Sequence, residues 1–230
     1  MSNDILPADF HSWYSGKRFT TDWFSDRAAS WVAVMSPLRD RPLRVLELGS
    51  WEGRSTLFFL HYLPRATLTC VDTFAGSQEQ KAERAGDLPQ LGARFRENTA
   101  GFESRIRLMI SRTGAALDQL ADEDARFDII YIDGSHRRDD VMSDSVMSWR
   151  LLDVGGLLIW DDVKFRGNLP SAERPADAIR AMERLYGGAF ERLHRDKQLI
   201  VRKTADFPTF ARSTGWRERA VRGIGRLLGV

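Results

Sequence analysis

Three carboxylates and a histidine stand at the ends of two apolar runs. Phe127-Asp128-Ile129-Ile130-Tyr131-Ile132-Asp133 is followed by Gly134-Ser135-His136, and Leu157-Leu158-Ile159-Trp160 is followed by Asp161-Asp162. Both runs have the length and composition of buried strands. If the two strands are neighbours they lie about 4.8 Å apart, and Asp133, Asp161 and Asp162 would converge. Three like charges at one spot repel each other. A hard divalent cation with oxygen ligands, Mg2+ foremost, would relieve that repulsion. The plainer alternative is that Asp133 caps a turn and Asp161-Asp162 is a solvated loop. His136 follows Asp133 by three positions, and an imidazole can take up a proton near neutral pH. His11, His61 and His194 lack such neighbours and read as structural.

A second segment, Glu47-Leu48-Gly49-Ser50-Trp51-Glu52-Gly53-Arg54-Ser55-Thr56, closes an earlier apolar run. Glycines at 49 and 53 permit a tight turn and a close approach of backbone to ligand. The helix start behind them offers free N–H groups. A ligand-free turn is the alternative. The spacing Glu-x-Gly-x-x-x-Gly is not the Gly-x-Gly-x-x-Gly of nicotinamide enzymes, which speaks against a dehydrogenase. Asp72-Thr73 ends the next run, 19 residues past Gly53. An acid there can accept from two ribose hydroxyls, or it can cap a helix. Ser111-Arg112-Thr113 ends the third run, where hydroxyls and backbone N–H groups would touch an adenine edge or cap the following helix.

The elements that must position these groups alternate. Strands are predicted over 43–48, 66–72, 105–110, 127–133 and 156–161, with a terminal hairpin over 190–194 and 198–203. Helices are predicted over 54–62, 88–99, 114–120, 139–152 and 176–186. This alternation predicts an α/β fold with a mostly parallel sheet, whose ligands bind at the carboxyl ends of the strands. Ahead of it, Thr20-Thr21-Asp22 caps a helix that aligns Phe24, Ala28, Trp31, Val32 and Met35, until Pro37 and Pro42 end it. The aromatic residues of this lead-in would cover the active site or simply cover apolar surface. The polar segment 75–86 reads as a lid over a cofactor or as an ordinary surface loop. The chain divides into a helical lead-in (1–42), a core (43–204) and a tail (205–230).

At 230 residues, with 43% hydrophobic and 29% charged residues, the chain is the size of one α/β domain and is not a disordered polymer. It has no apolar run near the ~20 residues needed to cross a bilayer. The first 30 residues lack a signal peptide pattern, so a cytoplasmic location is expected. The single Cys70 rules out an internal disulfide or a cysteine metal cage, and its strand context predicts a buried thiol. The net charge of +2 is unevenly placed: residues 211–230 hold five arginines against Glu218 alone. No broad basic face is evident, so no nucleic-acid partner is expected. In 214–230, Trp216, Ala220, Ile224 and Leu227 lie opposite Arg219, Arg222 and Arg226 on a helical wheel. Three readings stay open: a helix packed on its own domain or a second subunit, a frayed tail, or weak contact of 212–230 with the inner face of an anionic membrane.

Together these residues resemble the class I S-adenosylmethionine-dependent methyltransferases over about 43–203. Glu47-x-Gly49-x-x-x-Gly53 matches their first motif, Asp72 the ribose acid, and Val154-Gly155-Gly156-Leu157 the turn before the fifth strand. Tyr131 to His136, with Trp160-Asp161-Asp162, is similar to methyltransferase family 24, near the macrolide-sugar and catechol-type O-methyltransferases. The resemblance implies a Rossmann-like fold: seven strands, mostly parallel, the last antiparallel, strands four and five adjacent, helices on both faces. It implies S-adenosylmethionine held by Glu47, Gly49, Ser50, Trp51, Gly53, Ser55, Asp72, Thr73, Ser111, Arg112, Thr113 and Asp133. It also implies Mg2+ on Asp133, Asp161 and Asp162, with Asp133 and His136 as the catalytic pair. His136 stands where catechol-type enzymes carry a lysine base. There are two departures. Arg112 replaces an acid common in the loop after strand three, and Ser135 stands where some sugar-modifying relatives place an acidic base. The function implied is Mg2+-assisted methylation of a hydroxyl on a sugar, glycan or small natural product, by a chain that can pair with itself. The alternatives are a metal-independent enzyme with His136 as base and a non-catalytic cofactor-binding scaffold.

Overall fold

The computed structural model describes residues 6–165 and 168–206. The expectations for the basic tail, including membrane contact through 212–230, lie outside the described residues. Helix α1 (Ala28–Met35) follows a 3-10 turn at Ser25–Arg27. The Asp22 side chain starts this unit, accepting from Phe24 N (3.3 Å) and Ser25 N (2.9 Å). The alternating core then runs β1 (Arg44–Leu48), α2 (Arg54–Tyr62), β2 (Thr67–Asp72), α3 (Gln78–Glu83), α4 (Leu91–Asn98), β3 (Ile106–Ile110) and α5 (Thr113–Asp122). It continues with β4 (Phe127–Ile132), α6 (Arg138–Leu151), β5 (Leu152–Trp160), α7 (Pro175–Tyr186), β6 (Phe190–Arg195) and β7 (Leu199–Lys203).

The seven strands form one sheet in the order β3-β2-β1-β4-β5-β7-β6. β1 to β5 pair in parallel, and β7 is antiparallel to both β5 and β6. Side chains alternate across the sheet as the two-residue period requires. Val45, Ile129, Tyr131, Leu157 and Ile159 face a core shared with α1 and α2. Leu46, Ile130, Ile132, Leu158 and Trp160 face the core under α5, α6 and α7. Among the described residues, no helix is long and apolar enough to cross a membrane. Cys70 is buried and free, as its strand context predicts.

Two elements differ from the sequence reading. β5 starts at Leu152, not 156. Gly155-Gly156 reads as a turn but lies within the strand: Gly155 has φ +90°, and a Cβ on Gly156 would meet Asp128 O at 2.9 Å. The glycines serve an irregularity in the β4–β5 pairing, where the register shifts between Phe127 and Ile129. The polar stretch 75–86 contains α3, started by a reciprocal capping box between Ser77 and Gln80.

The lead-in is built into the domain. Trp31 is 0% exposed and Trp13 6%, so both fill the core, while Trp23 stays 46% exposed beside Trp51 with ring centroids 5.5 Å apart.

Candidate active site

The turn after β1 is shaped from three sides by carboxylates. Beneath it, Glu47 accepts from Ser55 Oγ (2.6 Å) and Thr56 Oγ1 (2.5 Å) at the start of α2. Full burial pushes the Glu47 carboxyl up, and these hydroxyls offset part of that. Beside the turn, Asp72 Oδ2 accepts from Ser50 N (2.9 Å) and Trp51 N (2.8 Å), and its Oδ1 from Phe74 N (2.6 Å). Burial raises this carboxyl too, against the pull of those N–H groups. Above it, Glu52 accepts from Thr20 N (2.7 Å), Thr20 Oγ1 (3.0 Å) and Arg94 Nε (2.7 Å), which straps the lead-in and α4 to the turn. Gly53, at φ +83°, lies against Phe95 and Thr99 of that same region.

Of the four non-glycine residues with positive φ among the described residues, Trp51, Phe74 and Asp162 lie in the segments after β1, β2 and β5, and Asp124 lies between α5 and β4. Non-glycine residues rarely adopt this region, and such strain gathers where a fold holds a ligand.

A cavity of about 380 Å3 opens at these strand ends. Its lining includes Gly49, Asp72, Thr73, Ser111, Arg112 and Thr113, as the sequence predicts for a cofactor. Glu47, Ser50, Trp51, Gly53, Ser55 and Asp133 are not in the lining; the first five hold or form the turn behind it, and Asp133 precedes Gly134 of the wall. The far wall comes from Gly134, Ser135 and α6, through Asp140, Ser143 and Asp144. Asp144 was not evident from sequence. It is 2% exposed, one of its oxygens has no hydrogen-bond partner, and burial pushes its carboxyl up to about 6. One signal existed: Val141, Asp144, Ser145 and Ser148 share the buried face of α6, and a carboxylate there is out of place.

Strand register builds the acidic cluster. Tyr131 pairs with Ile159 and Ile132 with Trp160, so the chain leaves β4 and β5 level. The next amides continue the ladder, Asp133 N to Leu48 O (2.8 Å) and Asp161 N to Ile132 O (3.1 Å). Between the two aspartates sits the Tyr131 hydroxyl, 2.8 Å from Asp133 Oδ2 and 2.8 Å from Asp161 Oδ2. Burial pushes both carboxyls up, as does repulsion from Asp161 and Asp162 on Asp133 and from Asp162 on Asp161, and Arg27 opposes this. A hydroxyl has one hydrogen, so without a cation one of its two contacts requires a protonated carboxyl.

Asp162, at φ +62°, turns the chain so that neighbouring carboxylates reach different partners. Asp161 Oδ1 meets Arg27 Nε at 3.1 Å, while Asp162 Oδ2 meets His136 Nε2 at 3.0 Å. The His136 ring lies 4.2 Å from that of Phe165. Ligand atoms of Asp133, His136 and Asp162 all lie within 4.8 Å of one another. Two carboxylates with an imidazole beside them fit a divalent cation. In this trio His136 joins two of the expected acids, while the third, Asp161, contacts Arg27 and Tyr131.

A methyltransferase-domain family model, family 24, matches residues 46–163. The chain belongs to this family. Among its relatives, the chain is 33% identical over 140 residues to O-methyltransferase hkm8 of Aspergillus hancockii, across 60% of this chain and 49% of that one. It thus spans about half the length of that curated relative. Two of the solved structures that share its fold are the following. One is the MycE methyltransferase of the mycinamycin biosynthetic pathway in complex with Mg, SAH and mycinamycin VI (TM-score 0.58, 18% identity, 86% of this chain and 55% of that one). The other is the O-methyltransferase TomG of Streptomyces achromogenes, involved in tomaymycin synthesis, in complex with SAM (TM-score 0.58, 15% identity, 86% and 87%). The class I methyltransferase fold expected from the sequence is therefore the fold observed.

Proposed function

We propose that this methyltransferase transfers the methyl group of S-adenosylmethionine to a hydroxyl of a sugar, glycan or small natural product, assisted by Mg2+. One observation carries the reading: the cavity at the ends of β1 to β4 and the Asp133–His136–Asp162 trio adjoin at Asp133-Gly134. In the cavity, Asp72 would take the ribose hydroxyls, and Ser111, Thr113 and nearby backbone groups the adenine. S-adenosylmethionine would supply an already activated methyl group, and a cation on Asp133 and Asp162 would lower the pKa of a bound hydroxyl. His136 would accept the hydroxyl proton, oriented by Asp162 at 3.0 Å. The rigid strand ends would align acceptor oxygen and methyl carbon, and alignment is a large share of such catalysis. Arg27, already beside the acids, favours a second reading in which the enzyme works without metal and His136 is the sole base.

The test is calorimetric titration of S-adenosylmethionine into EDTA-treated protein, with and without Mg2+, followed by methyl transfer to a panel of sugar and phenolic hydroxyls. The proposal expects micromolar binding in both conditions and Mg2+-dependent transfer. Full activity in excess EDTA selects the metal-independent reading, and cofactor binding without transfer to any acceptor selects the scaffold reading.

A further inference from the structure

Asp161 stands in the motif that the family resemblance assigns to the metal, yet its oxygens are engaged elsewhere. Oδ1 accepts from Arg27 Nε (3.1 Å) and from the Asp162 backbone N–H (2.8 Å), and Oδ2 accepts from the Tyr131 hydroxyl (2.8 Å). A carboxylate offers about four lone-pair sites, so roughly three are taken. The Asp161 side chain is 5% exposed and that of Arg27 16%, so water screens their pairing weakly.

Arg27 is itself held in place. Its Nη1 pairs with Asp26 at 2.6 Å, Asp26 pairs in turn with Lys197 at 2.5 Å, and the Arg27 carbonyl accepts from Ser30 Oγ at 2.7 Å. Tyr131 is also fixed from the lead-in side: Trp31 Nε1 donates to Gln198 Oε1 (2.7 Å), Gln198 Nε2 reaches the Tyr131 oxygen (3.5 Å), and the Trp31 and Tyr131 rings pack edge to face. Arg27 lies outside the stretch that matches the family, residues 46–163.

The charges divide cleanly. Asp161 and Arg27 form a neutral pair, and Asp133 and Asp162 together match one divalent ion. We propose that Arg27 is a tethered cation that withdraws Asp161 from the divalent-ion site and leaves Asp133 and Asp162 as its carboxylate ligands. Arg27 is then a positioning residue through which the docked lead-in sets the affinity of the site for its ion. This rests on reading Asp133 and Asp162 as cation ligands, and it departs from an equal role for all three acids.

The test reads Mn2+ binding to the full chain by the EPR signal of free Mn2+, with no acceptor and no turnover. Arg27→Gln should tighten binding at least fivefold, because a fixed positive charge beside the ion is gone. Arg27→Lys, which keeps the charge, should stay within about twofold of wild type. The double variant Arg27→Gln/Asp161→Asn removes a neutral pair and should stay within about threefold, whereas Asp162→Asn should lose binding. Thermal unfolding confirms that each variant is folded. A double variant weakened tenfold or more, or an Arg27→Gln that does not tighten, overturns the proposal while leaving the cation site standing. Binding by Arg27→Gln but not by wild type supports it. Absence of binding in both overturns the cation reading and this inference with it.

Discussion

Gly49 and Asp133 touch across the ends of β1 and β4. A Cβ built on Gly49 would stand 2.1 Å from the Asp133 carbonyl oxygen and 2.8 Å from the Gly134 Cα. The cofactor turn and the acidic cluster are thus in direct backbone contact, and Gly49 itself lines the cavity. At φ +92° a side chain at 49 would be strained even with room available. Gly49→Ala is expected to reduce S-adenosylmethionine affinity at least a hundredfold in calorimetry and to lower the melting temperature. Unchanged affinity would mean that the cavity is not the cofactor site.

Asp144 gives a pH dependence with a definite sign. Its folded-state pKa is raised from 3.8 to about 6 by burial, so the folded form holds the proton more tightly than the unfolded chain. Its contribution to stability is full below pH 4 and is lost as pH rises through 6. A pKa difference of that size corresponds to about 3 kcal/mol. Asp144→Asn cannot ionise, so its stability relative to wild type should rise by about that amount between pH 4 and pH 7. Urea unfolding of both proteins at the two pH values gives the difference, and a constant difference would contradict the assignment.

Glu52 and Arg94 form a buried pair at 2.7 Å, with side chains 1% and 8% exposed. Removing one partner leaves the other charged and uncompensated, which costs about 3–5 kcal/mol. Glu52→Ala also releases Thr20, so the strap over the cofactor turn should loosen. Denaturant titration should show the full loss of stability. Limited proteolysis should show earlier cleavage near residues 17–20 than in wild type.

His136 lies outside the cavity lining, although its neighbours Gly134 and Ser135 are within it. His136→Ala is therefore expected to leave S-adenosylmethionine affinity within about threefold of wild type. With any hydroxyl acceptor returned by the panel, kcat should fall by about 100-fold or more, the usual scale for a general base. Equal losses in cofactor affinity and turnover would place His136 in binding, not in proton transfer.

Much of this protein follows from local pattern. The strand ends at Leu48 and Asp72, the glycines at 49 and 53 and the mostly parallel character of the sheet follow from apolar runs punctuated by turn residues. A strand has a two-residue period and a helix a 3.6-residue period, so composition over a few positions sets which element forms and which residue closes it. That is why residue order alone puts Asp133 and Asp161-Asp162 each at a strand end, while the adjacency of β4 and β5 that brings them together is an expectation of the family resemblance.

What each acid does was decided only in three dimensions. Arg27 meets Asp161 across 134 positions, and Thr20 meets Glu52 across 32. The Tyr131 hydroxyl looks like strand filler in sequence and bridges two carboxylates in space. Asp144 reads as one more polar residue of α6 until α5 packs against that helix and encloses it. Sequence periodicity tells which way a side chain leaves its own element. Its partner depends on the register and packing of elements distant in the chain, and these are set by the summed burial of the whole core.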